Sequence, residues 1–181
     1  MTTSIITKKR IAKAFKKQMI EKSFDKISVV DIMDQANIRR QTFYNHFVDK
    51  FELLDWIFET ELQEQVTNNL NYITGFKLLE ELLFYIETNR IFYQQLFQIE
   101  GQNDFYSFFR DYCFILMEKI ISEEEYHKNC LAKNYKIFLI QYHANAFAIS
   151  IKDYVCQNTD RPDILAIKHV IIASIKQSKE L

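Results

Sequence analysis

The stretch SVVDIMDQANIRRQTFYNHF, residues Ser28 to Phe47, decides the fold of this chain. Ser28 stands where an N-cap belongs, and Asp31 three residues on sets an anion near the N-terminus of a first short helix. Val29, Ile32, Met33 and Ala36 recur at helical spacing and give that helix one apolar face. Asn37 tolerates left-handed backbone and suits a sharp turn, with Ile38 plugging the corner. In a second helix Phe43 and Phe47 face inward, which turns Arg40, Gln41, Thr42, Tyr44, Asn45 and His46 outward or sideways. A short helix with two apolar anchors and a display of Arg, Gln, Thr, Tyr and His suits contact with nucleic acid. Helix–turn–helix patterns also occur in ordinary helical proteins, so the flanks have to carry part of the argument.

They do. Residues 8 to 26 hold eight cations (Lys8, Lys9, Arg10, Lys13, Lys16, Lys17, Lys22 and Lys26) on a helix that packs through Ile11, Ala14, Phe15 and Met19. Such a run is commonly a solvated face, and it is read here as field and backbone proximity rather than as a set of direct contacts. Asp49-Lys50-Phe51-Glu52 opens a further helix, with Asp49 as N-cap and Glu52 placed for a capping box. Lys50 then stands where a helix N-terminus meets a phosphate. Residues 1 to 56 carry 11 Lys/Arg against 7 Asp/Glu, a net of +4; the remaining residues carry 12 against 17, a net of −5. The overall −1 therefore hides a basic head on an acidic body, which suits docking one end to a polyanion.

Two Gly and one Pro leave little material for hairpins, so the fold class is all-α: a three-helix head over 1–49 and a helical body over 50–181. The apolar fraction of 48% is scattered in helical periods, with no run long enough to span a membrane, and MTTSIITKKR has no signal-peptide core. A cytoplasmic protein without a membrane partner is expected. Cys113, Cys130 and Cys156 form no CxxC, and buried reduced thiols are the default. His127-x-x-Cys130 has a metal-like spacing but no second pair, so no metal is assigned. No Gly-rich phosphate loop, nucleophile elbow or paired-carboxylate motif argues for an enzyme or a cofactor, and Glu123-Glu124-Glu125 reads as a solvated helix end.

The body breaks into helices at about 50–66, 76–88, 90–98, 104–121, 129–155 and 162–177, the last with Pro162 in its first turn. Ile137 to Ile151 is apolar nearly all round, and Ile164 to Ile175 repeats the pattern. Helices of that kind need partners on more than one side. They mark a candidate subunit interface, assigned to Phe147, Ala148, Ile151, Ile167 and Ile171, unless both are simply core. The 20 Phe and Tyr after Trp56 allow an aromatic-lined effector pocket, assigned to Phe105, Phe109, Arg110, Tyr142 and His143; aromatic residues at helical spacing are also ordinary core.

The string from Ile27 to Leu54 resembles the DNA-binding domain of the TetR family of bacterial transcription regulators. The matching residues are Phe24, Ile27-Ser28-Val29, Asp31-Ile32, Ala36-Asn37-Ile38, Thr42-Phe43-Tyr44, Phe47, Asp49-Lys50 and Leu53-Leu54. Within the family, Ile38 to Asn45 is similar to the DhaS branch, named for an activator of a dihydroxyacetone kinase operon. Asn37 stands where the family usually has Gly, and Arg39 where it usually has a Ser or Thr cap. The resemblance implies that Arg40 and Gln41 face base edges, since Arg suits guanine O6 and N7 and Gln suits adenine N6 and N7. It implies that Tyr44 touches a thymine methyl or a phosphate, and that Thr42, His46 and Lys50 hold phosphates, with the charge of Arg39 near them. His46 could simply be a solvated surface histidine, and Tyr44 could serve the core. The resemblance further implies a homodimer through the last two helices on double-stranded DNA at a palindromic operator, with a small-molecule effector or a coactivator protein as a further partner. The other function considered is a non-enzymatic helical adaptor whose basic head binds a protein or membrane surface.

Overall fold

With so few helix-breaking residues, helices are what the chain forms. The computed structural model describes residues 2–65, 68, 70–99, 105–126, 131–157 and 159–177. Among these, the elements are α1 (Thr2–Glu21), a 3-10 turn (Phe24–Lys26), α2 (Val29–Ala36), α3 (Arg40–Tyr44), α4 (Lys50–Gln65), α5 (Gly75–Thr88), α6 (Arg90–Leu96), α7 (Phe105–Tyr126), α8 (Lys133–Gln157) and α9 (Ile164–Gln177), with no strand. The chain divides into two compact units: Met1–Glu61 with Ile91–Asn103, and Leu62–Arg90 with Asp104–Leu181. That division differs from a cut at residue 49. Most of α4 and nearly all of α6 belong to the head.

In the head, α1 buries Ile11, Ala14, Phe15 and Met19. Phe15 meets Phe24 edge-on at 6.1 Å, and Phe24 meets Phe51 of α4 at 5.0 Å. Helix α2 starts in a capping box: Ser28 Oγ accepts the Asp31 N–H at 3.2 Å, and Asp31 Oδ2 accepts the Ser28 N–H at 2.9 Å. It ends in a Schellman turn. Asn37 sits at φ 52°, ψ 50°; its N–H donates to Asp34 O at 3.0 Å and the Ile38 N–H to Met33 O at 3.1 Å. Helix α4 opens on Asp49, whose Oδ1 accepts the N–H groups of Phe51 and Glu52, both at 2.9 Å. Glu52 reaches back to the Val48 N–H instead of closing the expected box on Asp49.

The body is built around α7, which buries Phe105, Phe109, Cys113, Leu116, Met117, Ile120 and Ile121 along one side. Helix α8 brings Leu139, His143, Ala144, Phe147, Ala148, Ile151, Tyr154 and Val155 to the core. Thr74 caps α5, and Gly75 lies against α7: a Cβ there would stand 2.5 Å from Ile120 Cγ1 and 3.0 Å from its Cα, so the close approach needs glycine. Helix α7 runs to Tyr126, past the expected end at 121. The supposedly solvated glutamates are therefore engaged: Glu123 accepts the Gly75 N–H at 2.7 Å, and Glu125 accepts the Leu131 N–H and the Lys136 ammonium, both at 2.6 Å. Asp163 caps α9 through the Leu165 N–H at 2.8 Å, so Pro162 precedes the helix. His127 and Cys130 lie outside the described residues.

The Asp31 carboxylate is held well below the ordinary carboxylate range, first by the Lys22 ammonium at 2.8 Å and then by the Ser28 hydroxyl and N–H. A carboxyl lowered by folding stabilises above its unfolded value, about pH 4, and loses that contribution as pH falls towards the folded value. Asp31→Asn is therefore expected to unfold at lower denaturant than wild type at pH 7, with the gap closing only below about pH 4. Denaturant titrations across pH check this; a gap that has already closed at pH 5 contradicts it.

Candidate nucleic-acid interface

Helix α3 has five residues, too few to persist on backbone bonds alone, so its position rests on side chains. Phe43 is fully buried and Phe47, just after the helix, is nearly so. Their rings lie 5.6 Å apart, and Phe47 packs 5.9 Å from Trp56 of α4. These anchors leave the opposite face free. Arg39, Arg40, Gln41 and Asn45 are exposed, Thr42 and His46 are half-buried, and Tyr44 is 47% exposed. Tyr44 is thus not a core residue, although its ring edge rests on Phe43 at 5.5 Å.

Arg40 and Tyr44, one turn apart, form a pair. The Arg40 guanidinium donates to the Tyr44 hydroxyl at 3.3 Å and lies 5.8 Å from the ring centre. A guanidinium held by its own helix loses less freedom on docking than a loose one. Arg39 is the N-cap but makes no side-chain capping bond. The departure from Ser or Thr at this position leaves α3 uncapped and adds a cation.

Lys50 is placed otherwise than expected. Its ammonium donates to the carbonyls of Phe24 at 2.8 Å, Asp25 at 3.3 Å and Ile27 at 3.1 Å, and stands 4.4 Å from the Phe24 ring centre. All three of its hydrogens are used inside the head, and burial pushes the ammonium below its ordinary value. Several cations of α1 also turn inward. Arg10 donates to Ala36 O at 3.1 Å, closing the end of α2, and Lys16 pairs with Glu61 at 2.7 Å. Lys22 pairs with Asp31, and Lys8 lies over the rings of Phe47 and Trp56 at 4.9 and 5.6 Å. Lys13, Lys17 and Lys26 remain exposed.

The proposed body sites come out differently from their sequence assignments. Phe105 and Phe109 are stacked at 5.8 Å and fully buried, whereas Tyr142 is 58% exposed. Arg110 is part-exposed beside Asp111 at 3.6 Å. His143 is buried, its Nε2 3.0 Å from Ser174 Oγ of α9, and burial lowers its pKa. The interface residues are corrected as well. Phe147, Ala148, Ile151 and Ile171 are buried within the subunit itself, and Ile167 is half-buried. The large apolar residues that α8 and α9 expose are Ile137, Phe138, Tyr142, Ile149, Leu165 and Val170.

A helix–turn–helix with a polar, cationic second helix, carried on a larger helical body, defines a DNA-binding regulator. The description "Bacterial regulatory proteins, tetR family" matches residues 11–57, and "Transcriptional regulator C-terminal region" matches residues 74–171. The HTH-type dhaKLM operon transcriptional activator DhaS of Lactococcus lactis subsp. lactis (strain IL1403) is 38% identical, over 97% of this chain and 94% of that protein. The chain belongs to the TetR family of transcription regulators. Among solved structures it is similar to the dihydroxyacetone kinase operon activator DhaS, with TM-score 0.86 and 37% identity over 95% of this chain and 97% of that one. A TetR transcriptional regulator from Streptococcus agalactiae 2603V shares the fold, with TM-score 0.65 and 21% identity over 96% of each chain. Among the described residues no helix is long and apolar enough to cross a membrane.

The uncapped start of α3 has a measurable consequence. Arg39→Ser restores a cap and is expected to stabilise the chain by about 0.5–1 kcal/mol. The same change removes a cation, so affinity for any duplex should fall and the salt slope should drop by about one unit. Denaturation and salt-series anisotropy read the two effects separately; a destabilised variant would show that Arg39 does more than leave the cap empty.

Proposed function

We propose that this regulator activates transcription of a dihydroxyacetone kinase operon, binding a two-fold operator as a homodimer in the cytoplasm. The observation that carries the reading is the 38% identity to the dhaKLM operon activator, which runs through head and body alike. Arg40 and Gln41 read base edges. Tyr44 orients Arg40 and touches a thymine methyl or phosphate, and Arg39, Thr42 and His46 lie along phosphates. Lys50 acts from inside the head, with its bonds to three carbonyls as support. Control by a small molecule or a coactivator protein acting on the body belongs to the same proposal.

The dimer is assigned to the outward sides of α8 and α9. Tyr135, Phe138 and Tyr142 stack along α8 at 6.4 and 5.9 Å, and exposed Leu165 and Val170 extend the apolar surface on α9. Paired helices from each subunit would bury these side chains in a four-helix contact. One recognition helix reads only a few base pairs, so two heads are needed for a useful site.

The test uses a duplex from the promoter of the dihydroxyacetone kinase genes in the source genome. Wild type should bind it far more tightly than a random duplex of equal length. Arg40→Ala should lose about 1–3 kcal/mol on that site and relax specificity at one position. Phe138→Lys should remain helical, become monomeric by light scattering and lose specific binding. Equal affinity of wild type for both duplexes refutes the operon assignment, and a Phe138→Lys dimer refutes this interface.

A further inference from the structure

We infer that Gln95 is a positioning residue for DNA binding: from α6 its amide holds the link between α1 and α2, and so sets where the helix–turn–helix pair sits in the head. The link runs from the last turn of α1 through the 3-10 turn to Ser28, and its backbone groups have few helical partners of their own. Gln95 Nε2 donates to Met19 O and to Lys22 O, the latter at 3.1 Å, while its Oε1 accepts the Phe24 N–H at 3.0 Å. From the other direction Lys50 serves the carbonyls of Phe24, Asp25 and Ile27. Six backbone groups of one short link are thus bonded by two side chains that are distant in sequence, Phe24 O in addition to the Ile27 N–H it accepts at 3.1 Å.

Both tethers are chemically specific. The amide supplies two donors and one acceptor to two carbonyls and an N–H, a set that a carboxylate or a thioether cannot match. Phe24, at the centre of the link, packs on Phe15 and Phe51, and the Lys22–Asp31 pair ties the same link to the first turn of α2. A shift of the link therefore moves the start of α2, and α3 follows through the turn at Asn37. Gln95 lies outside residues 11–57, the part of the chain matched as the family's DNA-binding region. The compact head unit includes this later segment, Ile91–Asn103.

The bond set is reachable by solvent. Gln95 lies in the wall of an open groove of about 710 Å³ inside the head unit, beside Ile20, Phe24, Phe51 and Ile91. Water can replace a lost amide there, so removing the side chain should loosen the link without unfolding the head. Bidentate base contacts depend on orientation and phosphate contacts tolerate displacement, so discrimination should suffer before general affinity does.

The experiment rests on the operator-binding reading and uses the full chain with a duplex enriched from a random pool by wild type, against an unselected duplex. Gln95→Met keeps the length and loses every hydrogen bond; Gln95→Glu keeps the acceptor for Phe24 and sets an anion against two carbonyls. Both should lose about tenfold or more on the enriched duplex while holding the unselected one within about twofold, with circular dichroism unchanged. Amide exchange at Phe24 should quicken in Gln95→Met. A purely space-filling role predicts near-wild-type discrimination in both variants, and a merely folding role predicts parallel loss on both duplexes; either result overturns the inference. Should wild type enrich no duplex, the operator reading itself fails, and the inference falls with it.

Discussion

The recognition helix depends on two phenylalanines. Five residues of helix gain too little from backbone bonding to offset the cost of ordering them, so α3 exists because Phe43 and Phe47 are buried beneath it. Burying each ring is worth roughly 1.5–3 kcal/mol, more than the summed propensity of so short a segment. The same burial fixes orientation. With Phe43 inward, Arg40, Gln41 and Tyr44 have to face out, and the Arg40–Tyr44 contact then holds the guanidinium on the outer face. What the head displays on this face is a by-product of what it must hide.

Charge in the head is divided between two kinds of work. Lys8, Arg10, Lys16, Lys22 and Lys50 are turned to rings, carbonyls and carboxylates of the head itself. Lys8, Arg10 and Lys50 still contribute to a positive field, which steers the head towards a polyanion and falls with salt, while Lys16 and Lys22 are largely offset by Glu61 and Asp31. Exposed cations such as Arg39, Arg40, Lys13, Lys17 and Lys26 can act in contact. Counting basic residues therefore overstates the number of direct phosphate partners, because a cation used as a structural cap is not also a free clamp.

Much of this was legible in the chain because it is local. Ser28 with Asp31, Asn37 after Ala36, and Phe43 with Phe47 are pairs no more than four positions apart, and each became the cap, turn or anchor its chemistry implies. The misassigned parts are non-local. A helix that is apolar all round, such as residues 137–151, does not reveal which side meets its own subunit. Phe147, Ala148 and Ile151 therefore looked like interface and proved to be core, while Phe138 and Tyr142 face out. Phe105 and Phe109 likewise became packed core because aromatic clusters fill cores as readily as they line pockets. Gln95 carries no local signal, since its partners lie more than seventy residues away. Lys50 occupies the expected position at a helix start, yet three carbonyls brought up by the fold reach its ammonium first.

Selection of duplexes from a fully random pool by the intact chain, followed by sequencing, tests most directly whether two such heads read DNA together. Two anchored recognition helices related by two-fold symmetry predict an enriched inverted repeat, its half-sites about 34–36 Å or a multiple of that apart. Enrichment of a single asymmetric half-site, or of nothing, would contradict it.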